Sequence, residues 1–117
     1  MHRFRELKVY QKALLLTREI RQLTKRFPKE EMFSLASQMN RAGDSIALNI
    51  AEGAGNYSQK EFSKFLVYSI RSAYECIGCL DIALENKFIN PDEKESIFKN
   101  IDKVIAMLVG LQKSLLK

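Results

Sequence analysis

Between Asn49 and Phe62 the chain reads Asn49-Ile50-Ala51-Glu52-Gly53-Ala54-Gly55-Asn56-Tyr57-Ser58-Gln59-Lys60-Glu61-Phe62. One helix-period pattern runs up to the glycines, and a second starts after Ser58. Ser58 as N-cap with Glu61 at N3 forms a capping-box pattern, and Tyr57 can pack on Phe62 as a hydrophobic staple. Gly53 and Gly55 are expected to supply a left-handed helix stop. The segment therefore specifies a helix, a tight turn and another helix.

The same period extends over the rest of the chain. Helix 1 is expected from about Leu7 to Arg26, with Val9, Ala13, Leu16, Ile20, Leu23 and Phe27 at three- and four-residue spacing. Phe27-Pro28 ends it, because a residue before proline disfavours helical geometry. Helix 2 is expected over roughly Phe33 to Glu52, with Leu35, Ala36, Met39, Gly43, Ile46 and Ile50 inward. Gly43 costs a helix about 1 kcal/mol against alanine, which close approach by a neighbour would offset. Helix 3 starts at the Ser58 cap and ends near Phe88. Its stripe is Phe62, Phe65, Leu66, Ser69, Ala73, Cys76, Ile77, Leu80, Ala83 and Leu84. Helix 4 opens with Asn90 as cap, Pro91 at N1 and Glu93 at N3, and buries Ile97, Ile101, Val104, Ile105, Leu108, Leu111 and Leu115. Four amphipathic helices with short connections predict an all-α, antiparallel up-down-up-down four-helix bundle in a single domain spanning 1–117. The longest apolar run, Val104 to Leu111, is too short to span a bilayer. The opening residues lack the apolar stretch of a signal peptide, so a cytoplasmic location is expected.

Charge is unevenly distributed. Residues 1–28 hold eight Lys/Arg against two Glu, whereas residues 29–117 hold eleven against twelve Asp/Glu. The basic excess thus belongs to helix 1 and its lead-in, and a localised positive surface attracts polyanions by counterion release. Lys8, Lys12, Arg18, Arg21, Lys25 and Arg26 are the candidate nucleic-acid residues; a solvated basic face is the plainer reading of the same pattern.

Helix 2 carries a second organised face, Gln38, Arg41, Ser45, Leu48, Asn49 and Glu52, set roughly opposite its apolar stripe. Helix 3 likewise presents Val67, Arg71, Tyr74 and Ile82, with Gly78 among them. Tyrosine and arginine favour interfaces, so these ten residues are expected to pack against another copy of the chain. Arg41 and Glu52 are three turns apart and must pair with other helices rather than with each other.

No catalytic constellation, metal site or cofactor is expected. A di-iron bundle needs Glu-x-x-His pairs, and the only histidine is His2. That also removes Ser-His and Cys-His nucleophile pairs. Cys76-Ile77-Gly78-Cys79 has redox-dithiol spacing but sits mid-helix rather than at a helix N-terminus, where thiol pKa values fall. Two small buried hydrophobes is the favoured reading. Gly53-Ala54-Gly55 is no phosphate loop, since neither a preceding strand nor a following Gly-Lys-Ser/Thr exists.

Taken together, certain residues resemble a known family. Leu7-Lys8-Val9-Tyr10-Gln11-Lys12-Ala13, Phe27-Pro28-Lys29-Glu30-Glu31, Ser37-Gln38, Arg41-Ala42, Ser45-Ile46 and Asn49-Ile50-Ala51-Glu52-Gly53 are similar to the proteins of 23S rRNA intervening sequences, also labelled S23 ribosomal proteins. Ser58, Glu61-Phe62, Phe65-Leu66, Ser72 and Glu75 extend the match across nearly the whole chain. Asn40 and Asn56 depart from it, standing where arginine is usual. The resemblance implies a four-helix bundle of largely unassigned cellular function. Its relatives include the accessory variability protein of diversity-generating retroelements, which forms a pentameric basic barrel and works with a reverse transcriptase and nucleic acid. It therefore implies a pentameric homo-oligomer with RNA or DNA, and a reverse transcriptase or other nucleoprotein, as partners. The expected function is a non-enzymatic oligomeric protein that binds nucleic acid or a nucleoprotein through helix 1. A protein-interaction scaffold without nucleic acid is the alternative.

Overall fold

Four helices pair side by side in chain order: α1 (Lys8–Thr24), α2 (Leu35–Ala54), α3 (Gln59–Glu85) and α4 (Pro91–Leu115). They belong to a computed structural model that describes residues 3–56 and 58–116. The expected staple residue Tyr57, like His2, lies outside the described residues. Each helix packs on two neighbours: α1 on α2 and α4, and α3 on α2 and α4. The result is an antiparallel four-helix bundle with overall extents of 44 × 22 × 20 Å. Short 3-10 turns, Arg3–Glu6 and Lys29–Glu31, precede α1 and α2.

One apolar cluster draws on all four helices. The expected stripe of α1 is buried throughout, Phe27 included, and so are Leu35, Ala36, Met39, Gly43, Ile46 and Ile50 of α2. In α3 the middle of the stripe is fully buried, while Phe62, Phe65, Ile77 and Leu84 are half-buried at its edges. Buried hydroxyls are bonded: the Ser69 Oγ donates to the Ile46 carbonyl at 2.9 Å, and the Thr24 Oγ1 donates to Asn40 Oδ1 at 3.0 Å. Such bonds offset the cost of removing a hydroxyl from water.

Two glycines of α2 mark close approaches. A Cβ on Gly43 would lie 2.7 Å from Ile20 Cδ1, and one on Gly53 would lie 2.6 Å from Phe65 Cβ. The first is the approach expected from sequence. The second corrects an expectation: Gly53 is a buried helical residue rather than a left-handed stop, and Gly55 caps the helix at φ −76°. No glycine among the described residues has positive φ. The Asn56 Nδ2 donates to the Glu52 carbonyl at 3.0 Å, so a side chain satisfies the carbonyl that a left-handed cap would have covered.

Helix ends differ in how far they match their motifs. At α4 the reciprocal capping box forms, with Glu93 N to Asn90 Oδ1 at 2.8 Å and Asn90 N to Glu93 Oε1 at 2.9 Å. At α3 only one half is present, Glu61 N to Ser58 Oγ at 3.3 Å. The end of α3 is a Schellman motif without glycine. Phe88 N bonds Ala83 O at 2.9 Å, Lys87 N bonds Leu84 O at 3.0 Å, and Lys87 takes φ 63°. The turn carries Phe88 back onto Phe27, ring centroids 5.8 Å apart.

Two stability measurements test this description. Gly53→Ala is expected to lower the urea-unfolding free energy by about 1–3 kcal/mol, the usual cost of overpacking. Gly110→Ala, where an added Cβ meets nothing within 4 Å, is expected to raise it by up to about 1 kcal/mol. Separately, Lys87→Gly relieves a left-handed side chain and is expected to stabilise by about 0.5–1 kcal/mol.

Candidate nucleic-acid and assembly surfaces

The bundle sorts the six candidate cations of α1 and its C-terminal turn into three groups. Arg21 faces α2, where its Nη1 and Nη2 donate to Asp44 at 2.6 and 2.7 Å. These bonds raise the Arg21 pKa further. Arg26 faces α4 and forms an ion pair with Glu93 Oε2, a buried oxygen that has no other partner among the described residues. Both guanidinium groups are thus occupied within the chain. Arg18 and Lys25 lie on the outer edge of α1, exposed. Lys8 and Lys12, exposed and one turn apart, sit toward α4. Lys12 lines a groove of about 230 Å³ with Leu15, Glu19, Asn100 and Lys103. Glu19 is held there by Asn100 Nδ2, at 3.0 and 2.9 Å from its two carboxylate oxygens. Lys103 was not among the sequence candidates: α4 as a whole reads as mixed charge, and only the packing sets it beside Lys12.

The start of α1 is electrostatically unusual. α3 and α4 begin on side-chain caps with acidic residues in the first turn. α1 begins at Leu7 with no side-chain cap bond and no acid in its first turn, and Lys8 stands there instead. A cation at the positive end of a helix dipole is unfavourable by a few tenths of a kcal/mol, and an anion there is favourable by about 0.3–1 kcal/mol.

The second face of α2 is partly consumed inside the bundle. Asn49 Nδ2 donates to the carbonyl and Oγ of Ser45, both at 2.9 Å, and Ser72 of α3 donates to the same Oγ at 2.9 Å. Gln38 Nε2 reaches Glu75 Oε2 at 3.4 Å. These residues form a polar seam between α2 and α3 within one chain. Arg41, Leu48 and Glu52 remain outward, Leu48 at 62% exposure, and neither Arg41 nor Glu52 has an ion-pair partner among the described residues. On α3, Val67 is half-buried, while Arg71, Tyr74 and Ile82 are exposed. At the upper end of the seam a groove of about 810 Å³ opens between Phe33, Gln38, Arg41 and Glu75. Sequence reasoning used Phe33 only as a helix boundary. Its side chain is 91% exposed.

Cys76 and Cys79 are free and buried. Burial, with a smaller push from nearby negative charge, raises the Cys76 thiol to about 12 and the Cys79 thiol to about 11. That is the reverse of redox activation and fits two packed hydrophobes. Among the described residues no group of three His, Cys, Asp or Glu is placed to hold a metal, and no helix is long and apolar enough to cross a membrane.

The profile of the family described as 23S rRNA-intervening sequence protein matches residues 5–110. The chain belongs to that family. Among solved structures it is similar to a protein with unknown function from the S23 ribosomal protein family of Bacteroides thetaiotaomicron VPI-5482. The identity is 26% and the TM-score 0.84, with 90% of this chain and 95% of that one covered. No curated protein matches. The family resemblance read from the sequence is thereby borne out. Its two departures also find local roles: Asn40 accepts the buried Thr24 hydroxyl, and Asn56 caps α2.

Alkylation checks the cysteines. At pH 8 both thiols are expected to resist iodoacetamide in the native protein and to react fully in urea. Their folded values lie above an unfolded value near 8.5, so their contribution to stability is complete below about pH 8.5 and is lost as pH rises toward 11–12.

Proposed function

We propose that this family member is a non-enzymatic, homo-oligomeric helical protein that binds nucleic acid, RNA or DNA, alone or within a nucleoprotein partner, through the N-terminal half of α1. The observation that carries this reading is the α1 start. An uncapped positive helix end bears Lys8, Lys12 follows one turn on, and among the described residues neither lysine is ion-paired to a carboxylate. Phosphate is the anion such an arrangement suits. Lys103 across the groove adds a third amine, while Arg21 and Arg26 contribute little, being neutralised. The family description and the S23 label of the solved relative both supply an RNA context. By resemblance, a pentameric assembly and a reverse transcriptase as nucleoprotein partner belong to the same reading. So does a cytoplasmic location, which two adjacent reduced cysteines suit. A protein-interaction scaffold without nucleic acid is the second reading, supported by the apolar and polar surface left outward on α2 and α3.

The test is affinity for an RNA hairpin and for duplex DNA across a salt series. Binding should weaken steeply with salt, and Lys8→Gln with Lys12→Gln should reduce the slope of log affinity against log salt by about 0.7–0.9 per lysine. Absence of binding at low salt rejects the nucleic-acid reading and leaves the scaffold.

A further inference from the structure

We infer that the outer face of α3 is a separate nucleic-acid site, one that holds a single strand by its phosphates on Lys60, Lys64 and Arg71 and by a base stacked on Tyr74. This rests on the nucleic-acid reading above and adds a site on the far side of the bundle, since α3 packs on α2 and α4 and not on α1. Antiparallel packing puts the starts of α1 and α3 and the ends of α2 and α4 in one half of the molecule. In that half, residues 3–16, 45–72 and 103–116 hold nine Lys/Arg against three Glu. The other half, residues 17–44 and 73–102, holds nine against eleven Asp/Glu. The basic excess is therefore gathered at one end of the bundle. α3 shares in it although its own sequence carries four acids and three cations.

Helical spacing separates the two signs. Lys60, Lys64 and Arg71 fall opposite the buried Leu66–Ala73–Leu80 stripe, with Tyr74 one turn beyond Arg71, and all four are exposed. None of the three cations is ion-paired among the described residues. The acids are turned aside: Glu75 accepts from Gln38 of α2, and Asp81 pairs with Lys94 of α4. Glu61 falls on the same side as Glu75, and Glu85 stands at the far end of the helix. From Lys60 to Tyr74 the face runs about 21 Å at 1.5 Å per residue, the length of about six stacked nucleotides.

Tyr74 supplies what the lysines of α1 lack. A helical side chain leans toward the preceding turn, so the Tyr74 ring leans toward Arg71 and a side chain at position 78 would lean over the ring. That position is Gly78, where an added Cβ meets nothing within 4 Å. Glycine is a costly choice in a helix, and no packing within this chain calls for it. Its effect is a bare ring, 59% exposed, beside an unpaired guanidinium. A base lying on that ring would set its phosphate at Arg71. Base–aromatic stacking tolerates any sequence, and a row of cations beside it tracks the backbone. In a duplex the bases are stacked on one another and are not offered to the ring, so the face favours single strands. An acidic peptide would meet the cations and leave the ring bare.

The experiment measures the full chain against fluorescein-labelled oligo(U) RNA, and against the same strand paired with oligo(A), by anisotropy across a salt series. Tyr74→Ala is expected to weaken oligo(U) binding at least about fivefold, with the salt slope and the duplex affinity unchanged, while Tyr74→Phe binds like the unaltered chain. Lys60→Gln with Lys64→Gln should instead reduce the slope of log affinity against log salt by about 0.7 per lysine, the single-strand value. Gly78→Leu should weaken oligo(U) binding as Tyr74→Ala does, with no fall in its urea midpoint. Oligo(U) affinity unmoved by Tyr74→Ala overturns the inference and leaves the α1 reading standing. So does a Tyr74→Ala chain of lower mass by light scattering, which makes the face a contact between copies. No binding of either probe at low salt removes both.

Discussion

Gly43 and Gly53 let α2 sit closer to its neighbours than any side chain would allow. Ile20 of α1 occupies the space of one missing Cβ and Phe65 of α3 that of the other. These two notches lie ten residues apart, so α2 is wedged along much of its length. A helix held this way cannot rotate without driving a methyl or a ring into backbone. Its outward residues are fixed as a consequence: Ser45 and Asn49 meet Ser72, whereas Arg41, Leu48 and Glu52 are left facing out. The polar seam, the groove beside Phe33 and the outward charges of α2 therefore follow from two absent methyl groups.

The same rigidity separates structural charges from available ones. The Arg21–Asp44 and Arg26–Glu93 pairs tie α1 to α2 on one side and to α4 on the other. The Arg21–Asp44 pair, open to solvent on both sides, contributes at most about 1 kcal/mol to stability, while Arg26 covers the otherwise unpartnered Glu93 Oε2. The larger effect of the two pairs is to remove two guanidinium groups from the surface that a polyanion meets. The Glu93 contact adds a further constraint, because the same carboxylate caps α4 through Asn90 N. One side chain thus fixes both a helix start and a helix–helix contact.

The bundle was legible because its signals are local. Apolar spacing placed the core of α1 and α2, and Asn90-Pro91 with Glu93 placed the start of α4. What the sequence misplaced depends on contacts between helices. Gly53 has the residue type of a left-handed stop, yet Phe65 needs its missing side chain, so the helix continues through it. Lys87 does take the left-handed position, but lysine carries no local sign of that role. The six basic residues of α1 and its C-terminal turn read alike along the chain, and only Asp44 and Glu93, over twenty residues away, distinguish them. The Lys12–Lys103 juxtaposition and the exposure of Phe33 were hidden for the same reason.

If copies assemble and bind polyanion as proposed, multiplicity couples the two without a change of shape. One chain offers Lys12 and Lys103 across one groove, with Lys8 a helical turn from Lys12, which is few phosphate contacts. A homo-oligomer would repeat that cluster at a fixed spacing. Once one cluster has bound a strand, the next binds at the effective concentration set by a rigid spacing, and affinity can rise by orders of magnitude without any new kind of contact. The number of copies joined would set how many clusters meet a strand, and the uncapped start of α1 would set how strongly each one holds a phosphate.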